Sequence, residues 1–222
     1  MRSPFPKYQQ NSGYRSRGML LGLLAALVLV GCSPREPESQ GTQPRVRLVI
    51  ADQYLNSLHY IFGRGIELQL EFPPFERTEG LLGNSAGIAG ISSSQLEQFQ
   101  RAAVSVARQV VDPAHREFLI PCQPAAEDSA DEACATEFLS NTGRLLYRRP
   151  LEESELVVFV EAAVSGADTL EDFYAGLEIA LEAMLLSPDM LFVVERAEPD
   201  PEDPERLRLD AYSLASRLSY FL

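Results

Sequence analysis

The sequence predicts a mainly α-helical chain of small helical domains, with a short strand or extended arm near the N-terminus. Three observations carry that expectation. Apolar residues return at three- and four-residue steps along successive stretches, the period of a helix with one buried face. The stretches are separated by Pro, Gly or acidic clusters, which punctuate helices. Strict alternation of apolar and polar residues occurs in one short place, Ile66, Leu68, Leu70 and Phe72, the period of a strand. An apolar content of 45% without Trp is ordinary for a globular chain.

Residues 1–31 read as a lipoprotein signal peptide. Arg2, Lys7, Arg15 and Arg17 precede or flank an apolar run from Met19 to Val30, with no acidic residue among them. The run has the length of a signal-peptide core and is too short to span a bilayer as a helix. It ends Leu29-Val30-Gly31-Cys32, the pattern at which a bacterial signal is cut before a cysteine whose thiol is acylated. An ordinary signal peptide with a chance cysteine is the alternative. Ser33 stands where Asp would signal inner-membrane retention, which favours the outer membrane. The expected location is therefore the cell envelope, lipid-anchored at Cys32 and facing the periplasm or exterior. Several acyl chains hold stably where one is marginal.

Losing residues 1–31 removes four positive charges and takes the formal charge from −13 to −17. Phosphate backbones and anionic membrane surfaces repel such a chain, so nucleic-acid binding is not expected and the lipid is the sole expected membrane contact. Residues 32–44 are polar and carry three Pro, a flexible tether with a reach on the order of 20 Å.

Residues 45–120 form an expected N-terminal unit. Tyr54, Leu55, Leu58, Ile61 and Phe62 have helical spacing, Asp52 suits the first turn, and Gly63 is a natural stop. The alternating arm over 66–72 ends at Pro73-Pro74, and 76–92 reads as a Gly- and Ser-rich loop. Ser94 to Glu97 fits a capping box for a helix with Leu96, Phe99, Ala103, Val106 and Val110 inward. Asp112-Pro113 ends it, and a short helix or turn follows over His115 to Ile120.

Residues 121–196 form an expected helical unit behind an acidic loop at 121–130. Ser129 to Glu132 suggests a cap for a helix through Cys134, Phe138, Leu145 and Tyr147, weakened near its end by Gly143. The next helix runs from Leu151 to Val164. Another begins near Asp168-Thr169, with Leu170, Phe173, Leu177, Leu181, Met184 and Leu185 inward. After Pro188 one further turn is expected over Asp189 to Glu195. Residues 197–208, rich in Pro and acid, read as a linker at a domain boundary. A last amphipathic helix, Leu209 to Leu222, runs to the final residue with no stop signal. It reads as the start of a truncated domain at 209–222.

Cys122 and Cys134 remain once Cys32 is lipidated. An even pair in an exported chain reads first as a disulfide, closing a loop of about 13 residues and stabilising by roughly 3 kcal/mol. A redox or metal pair is the alternative, without a C-x-x-C spacing or a neighbouring His to support it. His59 and His115 suit surface or cap positions better than ligand roles. No metal site and no cofactor are expected in this chain. Arg144, Arg148 and Arg149 make a basic spot that could hold an anion by bidentate pairing. Pairing with Glu152, Glu153 or Glu155 is the competing and simpler reading. Arg217, set between apolar positions, calls for a salt bridge. No hydrolase elbow, phosphate loop or dinucleotide motif occurs.

Several phrases together resemble one family. They are Arg47-Leu48 with Tyr54, Asn56 and Phe62-Gly63; Phe72-Pro73-Pro74; Cys134-Ala135 with Arg144 and Tyr147-Arg148-Arg149-Pro150-Leu151; Ala183-Met184-Leu185 with Ser187-Pro188, Leu191-Phe192 and Glu195; and Leu209-Asp210 with Tyr212 and Leu214 to Leu222. In this order they resemble the exported multidomain proteins built from domains of unknown function 1587, 1595 and 1592, the type associated with cytochrome c in planctomycetes. The resemblance places the first of these domains at 45–120, the second at 121–196 and the third from 209. It implies an N-terminal fragment, an exported location and a link to extracytoplasmic electron transfer, with c-type cytochromes among possible partners. It supplies no activity. Val49, Tyr60 and Val193 depart from the family's pattern, and no C-x-x-C-H occurs. The expected function is a binding or scaffold component of an envelope assembly. The alternative is an envelope enzyme acting on a polymer or carbohydrate, with its active site beyond Leu222. Whether the chain is an enzyme is left open.

Overall fold

The structure, a computed structural model, describes residues 44–68 and 90–221. The expected signal peptide, Cys32, all but residue 44 of the expected tether, and most of the expected arm and Gly/Ser-rich loop lie outside the described residues. The described residues are mainly helical, with eight helices and two small antiparallel strand pairs. In chain order they are β1 (Val46–Leu48), α1 (Ala51–Phe62), α2 (Ser93–Val111), α3 (Pro113–Leu119), α4 (Glu132–Leu146), α5 (Glu153–Leu170), α6 (Phe173–Leu186), α7 (Pro188–Leu191), β2 (Phe192–Val194), β3 (Ala197–Pro199), β4 (Leu207–Leu209) and α8 (Ala211–Phe221). All belong to one compact unit, Gly41–Leu222.

One hydrophobic core joins residues from both expected units. Tyr54 and Leu58 of α1, Phe99, Val106 and Val110 of α2, Phe138 and Leu139 of α4, and Leu177, Leu181 and Met184 of α6 are fully buried or nearly so. Tyr54 meets Phe99 edge-on, with ring centroids 4.9 Å apart, the arrangement aromatic quadrupoles prefer. α6 is the central helix, packed against α2, α4 and α5. Its approach to α5 is close enough to need glycine. A Cβ on Gly176 would strike the carbonyl oxygen of Ala163.

Several boundaries differ from the sequence expectation. The cap of α2 is Ser92, two residues before the expected box. Its hydroxyl accepts the Gln95 N–H, and the Gln95 side chain accepts the Ser92 N–H. Leu96 is left exposed. The cap of α4 is Asp131, whose carboxylate accepts the N–H groups of Cys134 and Ala125. Those bonds, Cys134 first, hold its carboxyl below the usual Asp range. Asp131 wins over Ser129 because one carboxylate ties the acidic loop and the helix start together. Gly143 is a packing residue inside α4, not a helix end. A Cβ there would crowd Leu151 and Met184.

α5 continues through Asp168 and Thr169 to Leu170 and stops at Glu171, which adopts a left-handed φ of 53°. The expected break was four residues early because Asp168-Thr169 resembles a cap. Asp172 takes that role instead, accepting the Ala175 N–H, and Leu170 is exposed rather than inward. The expected turn over 189–195 is a turn only to Leu191. Phe192–Val194 then pairs antiparallel with Val46–Leu48, Val46 opposite Val194 and Leu48 opposite Phe192. A strand pair between such distant residues leaves no trace in local periodicity.

The acidic, Pro-rich stretch 197–208 is a correction. Expected as a linker, it forms a β-hairpin: β3 pairs with β4, Ala197 opposite Leu209 and Pro199 opposite Leu207. Asp200 and Asp203 fold the turn by accepting the N–H groups of Glu202 and Glu205, the local bonding that makes Asp a turn former. Leu209 therefore lies in a strand, and the last helix starts at Ala211.

The Cys122–Cys134 disulfide is formed, with Cα atoms 5.5 Å apart. It fastens the segment after α3 to the first turn of α4.

Candidate functional site

Arg148 and Arg149 are adjacent in sequence and differ in their partners. Arg149 is nearly buried and forms a two-carboxylate cluster. Its guanidinium donates to both Glu155 oxygens at 2.6 and 2.7 Å and to Asp189 at 2.8 Å. The Glu155 bond raises the Arg149 pKa and in turn holds the Glu155 carboxyl below its usual range. Glu155 also accepts the Glu152 N–H at the start of α5. Arg149 thus pins α5 to α7 and has little left to offer a ligand. The internal-pairing reading of the basic spot holds for this residue.

Arg148 is different. Among the described residues no carboxylate lies within ion-pair distance of it. Its Nη2 donates to the backbone carbonyls of Asp189 at 2.7 Å and Phe192 at 3.0 Å, and its Nη1 to the Tyr220 hydroxyl at 2.6 Å. The guanidinium also lies 5.2 Å from the centroid of the Tyr220 ring, within cation–π range. Its backbone has a φ of 60°, a left-handed conformation that costs a non-Gly residue about 1–3 kcal/mol. Arg144 is exposed on α4 and is not brought to this place.

A cleft of about 510 Å³ opens beside Arg148. α1 supplies Gln53, Asn56 and Tyr60 to its wall, the end of α4 supplies Leu145, and α8 supplies Ser219 and Tyr220. Tyr60 is 85% exposed on the rim. Gln53 links the two long walls: its amide nitrogen donates to the Tyr220 carbonyl at 3.2 Å, and its oxygen accepts from Arg47 at 3.1 Å. Arg47 stands 5.4 Å from the Tyr220 ring centroid, and burial lowers its pKa despite the nearby Tyr220 and Glu195.

α8 itself is fastened by Arg217, which pairs with Glu195 at 2.6 Å, as its setting between apolar positions required. Burial alone would raise the Glu195 carboxyl. Hydrogen bonds from Arg217 and from the Arg45 N–H pull it below its ordinary range instead.

Of the three arginines of the basic spot, Arg148 lines the cleft, Arg149 is structural and Arg144 is remote. Gln53, Asn56 and Tyr220 were missed. Tyr220 stands in a phrase of the family resemblance, but nothing local says that its ring meets Arg148, 72 residues away. His115 is a cap residue: its Nδ1 meets the Gln109 carbonyl at the end of α2 at 3.0 Å. No group of three His, Cys, Asp or Glu that could hold a metal occurs among the described residues.

Residues 134–195 match the family model described as PSD5, a protein of unknown function (DUF1595). The match falls within the expected 121–196 unit and holds the whole Arg149–Glu155–Asp189 cluster. It also holds Arg148, whereas the α1 and α8 walls of the cleft lie outside it. No curated protein and no solved structure matches the chain.

Proposed function

We propose that this chain is a lipid-anchored cell-envelope protein that serves as a binding or scaffold component of an extracytoplasmic assembly. The observation that carries the reading is the Cys122–Cys134 disulfide. Such bonds persist in oxidising compartments and are rare in the cytosol. It supports the export reading of residues 1–31, and the Leu29–Cys32 box adds the anchor. The cleft beside Arg148 supports binding as the role. In this proposal the segments that flank the matched residues, 45–120 and from 209 onward, resemble domains of unknown function 1587 and 1592. Extracytoplasmic proteins, c-type cytochromes among them, are the proposed partners.

Intact mass of the membrane-extracted protein tests the anchor. The expected species begins at Cys32 and carries acyl chains, and Cys32→Ser leaves the protein unprocessed. An unmodified chain beginning at Met1 and recovered from the cytosol would overturn the proposal. Crosslinking in intact cells then tests the assembly, with a discrete partner band expected.

A further inference from the structure

The cleft beside Arg148 has features that select a ligand chemistry. Its volume of about 510 Å³ lies in the range of small-molecule sites. The guanidinium at its wall is satisfied by two carbonyls and a phenol, all neutral. Its neighbour Arg149 is paired with two carboxylates, Glu155 and Asp189. Among the described residues, carboxylates therefore go to one arginine and not to the next, while the latter is held in a strained backbone conformation. Strain of this kind collects at functional sites.

A partly desolvated guanidinium with no carboxylate in ion-pair range among the described residues favours an anion. Among the described residues Arg148 is the one cationic side chain that lines the cleft, with Arg47 set behind Gln53 and Tyr220, and a single lining charge matches a monoanion. A phosphate dianion would bring a second charge into the field of a chain of formal charge −13, which opposes it. The remaining lining is mixed. Asn56, Ser57 and Ser219 supply amide and hydroxyl groups, and Ile61, Leu145 and the exposed Tyr60 ring supply apolar surface. That combination suits a small body with both polar and apolar faces.

We infer that the cleft between α1 and α8 binds a small carboxylate monoanion, with Arg148 as its cationic anchor and Tyr60 covering its apolar face. The inference stands on the cleft alone, so it is independent of the anchor at Cys32 and goes beyond the proposed envelope role. Two sources share the chemistry: a sugar acid and a peptide C-terminus.

Amide chemical-shift titration of the disulfide-bonded protein tests it. The probes are D-glucuronate and N-acetyl-Ala-Ala, each beside a neutral counterpart, glucose and the dipeptide amide, with inorganic phosphate as a further arm. Saturating shifts at Asn56 and Ser219 are expected with one or both carboxylates, and none with the neutral pair. Which carboxylate saturates identifies the source. Arg148→Met should weaken binding about tenfold or more, the value of a lost hydrogen bond to a charged group. Because Arg148 also holds α7 and α8, Asn56→Trp provides a second variant. It fills the cleft from an exposed helix position and should abolish the shifts with the fold intact. Three results would overturn the inference: no saturation by either carboxylate, equal shifts from the neutral counterparts, or tighter binding of phosphate.

Discussion

The α2–α6 body and the α8 segment are both amphipathic helices in sequence, yet they are held by different forces. The body buries rings and aliphatic chains: Phe99, Val106, Leu177 and Leu181 have no exposed surface. α8 buries Ser213, while Tyr212, Leu214 and Leu218 are about half exposed, and it packs broadly on no other described element. Its Tyr220 packs against the core, and polar contacts supply the rest of its attachment. Arg217 pairs with Glu195, Gln53 and Arg148 hold Tyr220, and the Ser213 hydroxyl accepts the Arg196 N–H. Apolar burial is the larger contribution, and an ion pair whose arginine is one-third exposed, at 34%, adds less. The body is therefore expected to outlast α8, which forms one wall of the cleft and should be easier to release.

Predictions that would break the comparison start with the body. Phe99→Ala removes a fully buried ring that meets Tyr54 edge-on, and a loss of about 3–5 kcal/mol in denaturant unfolding is expected. Reducing Cys122–Cys134 frees the loop before α4 and should cost roughly 3 kcal/mol, read by the same unfolding curves with and without reductant. Gly176→Ala forces a Cβ against the Ala163 carbonyl. Overpacking of this kind costs about 1–3 kcal/mol, seen as a lower Tm. Arg217→Gln should leave the unfolding of the body nearly unchanged and raise amide exchange in α8, measured peptide by peptide. If instead it lowered global stability as much as Phe99→Ala, α8 would belong to the body.

The body was legible because its forces are local in sequence. Periodicity places Phe99, Val106 and Val110 on one face and Phe173, Leu177 and Leu181 on another, and an even pair of cysteines suggests the bond they form. Caps were less legible, since Ser92 competes with Ser94, and Asp131 with Ser129, through hydrogen bonds that depend on the loop before them. The β1–β2 pair, the hairpin at 197–209 and the cleft were not legible. Each depends on residues far apart in sequence, or on turn bonds that an acidic, Pro-rich composition hides. Arg148 and Arg149 show the limit best. Composition makes them equal, and only the fold gives one of them carboxylates.

The most direct test of this account is hydrogen exchange of the wild-type protein, comparing α8 with α6 as pH falls. Glu195 has a folded pKa below the ordinary Glu value of 4.5, so its contribution is fully present above 4.5 and is lost as pH falls through the folded value. Glu155 is lowered in the same way, but it fastens helices that are also held by the apolar core. With intrinsic rates corrected for pH, α8 should open at lower free energy than α6 and lose protection first on acidification. Equal opening free energies for α8 and α6 at every pH would contradict the account.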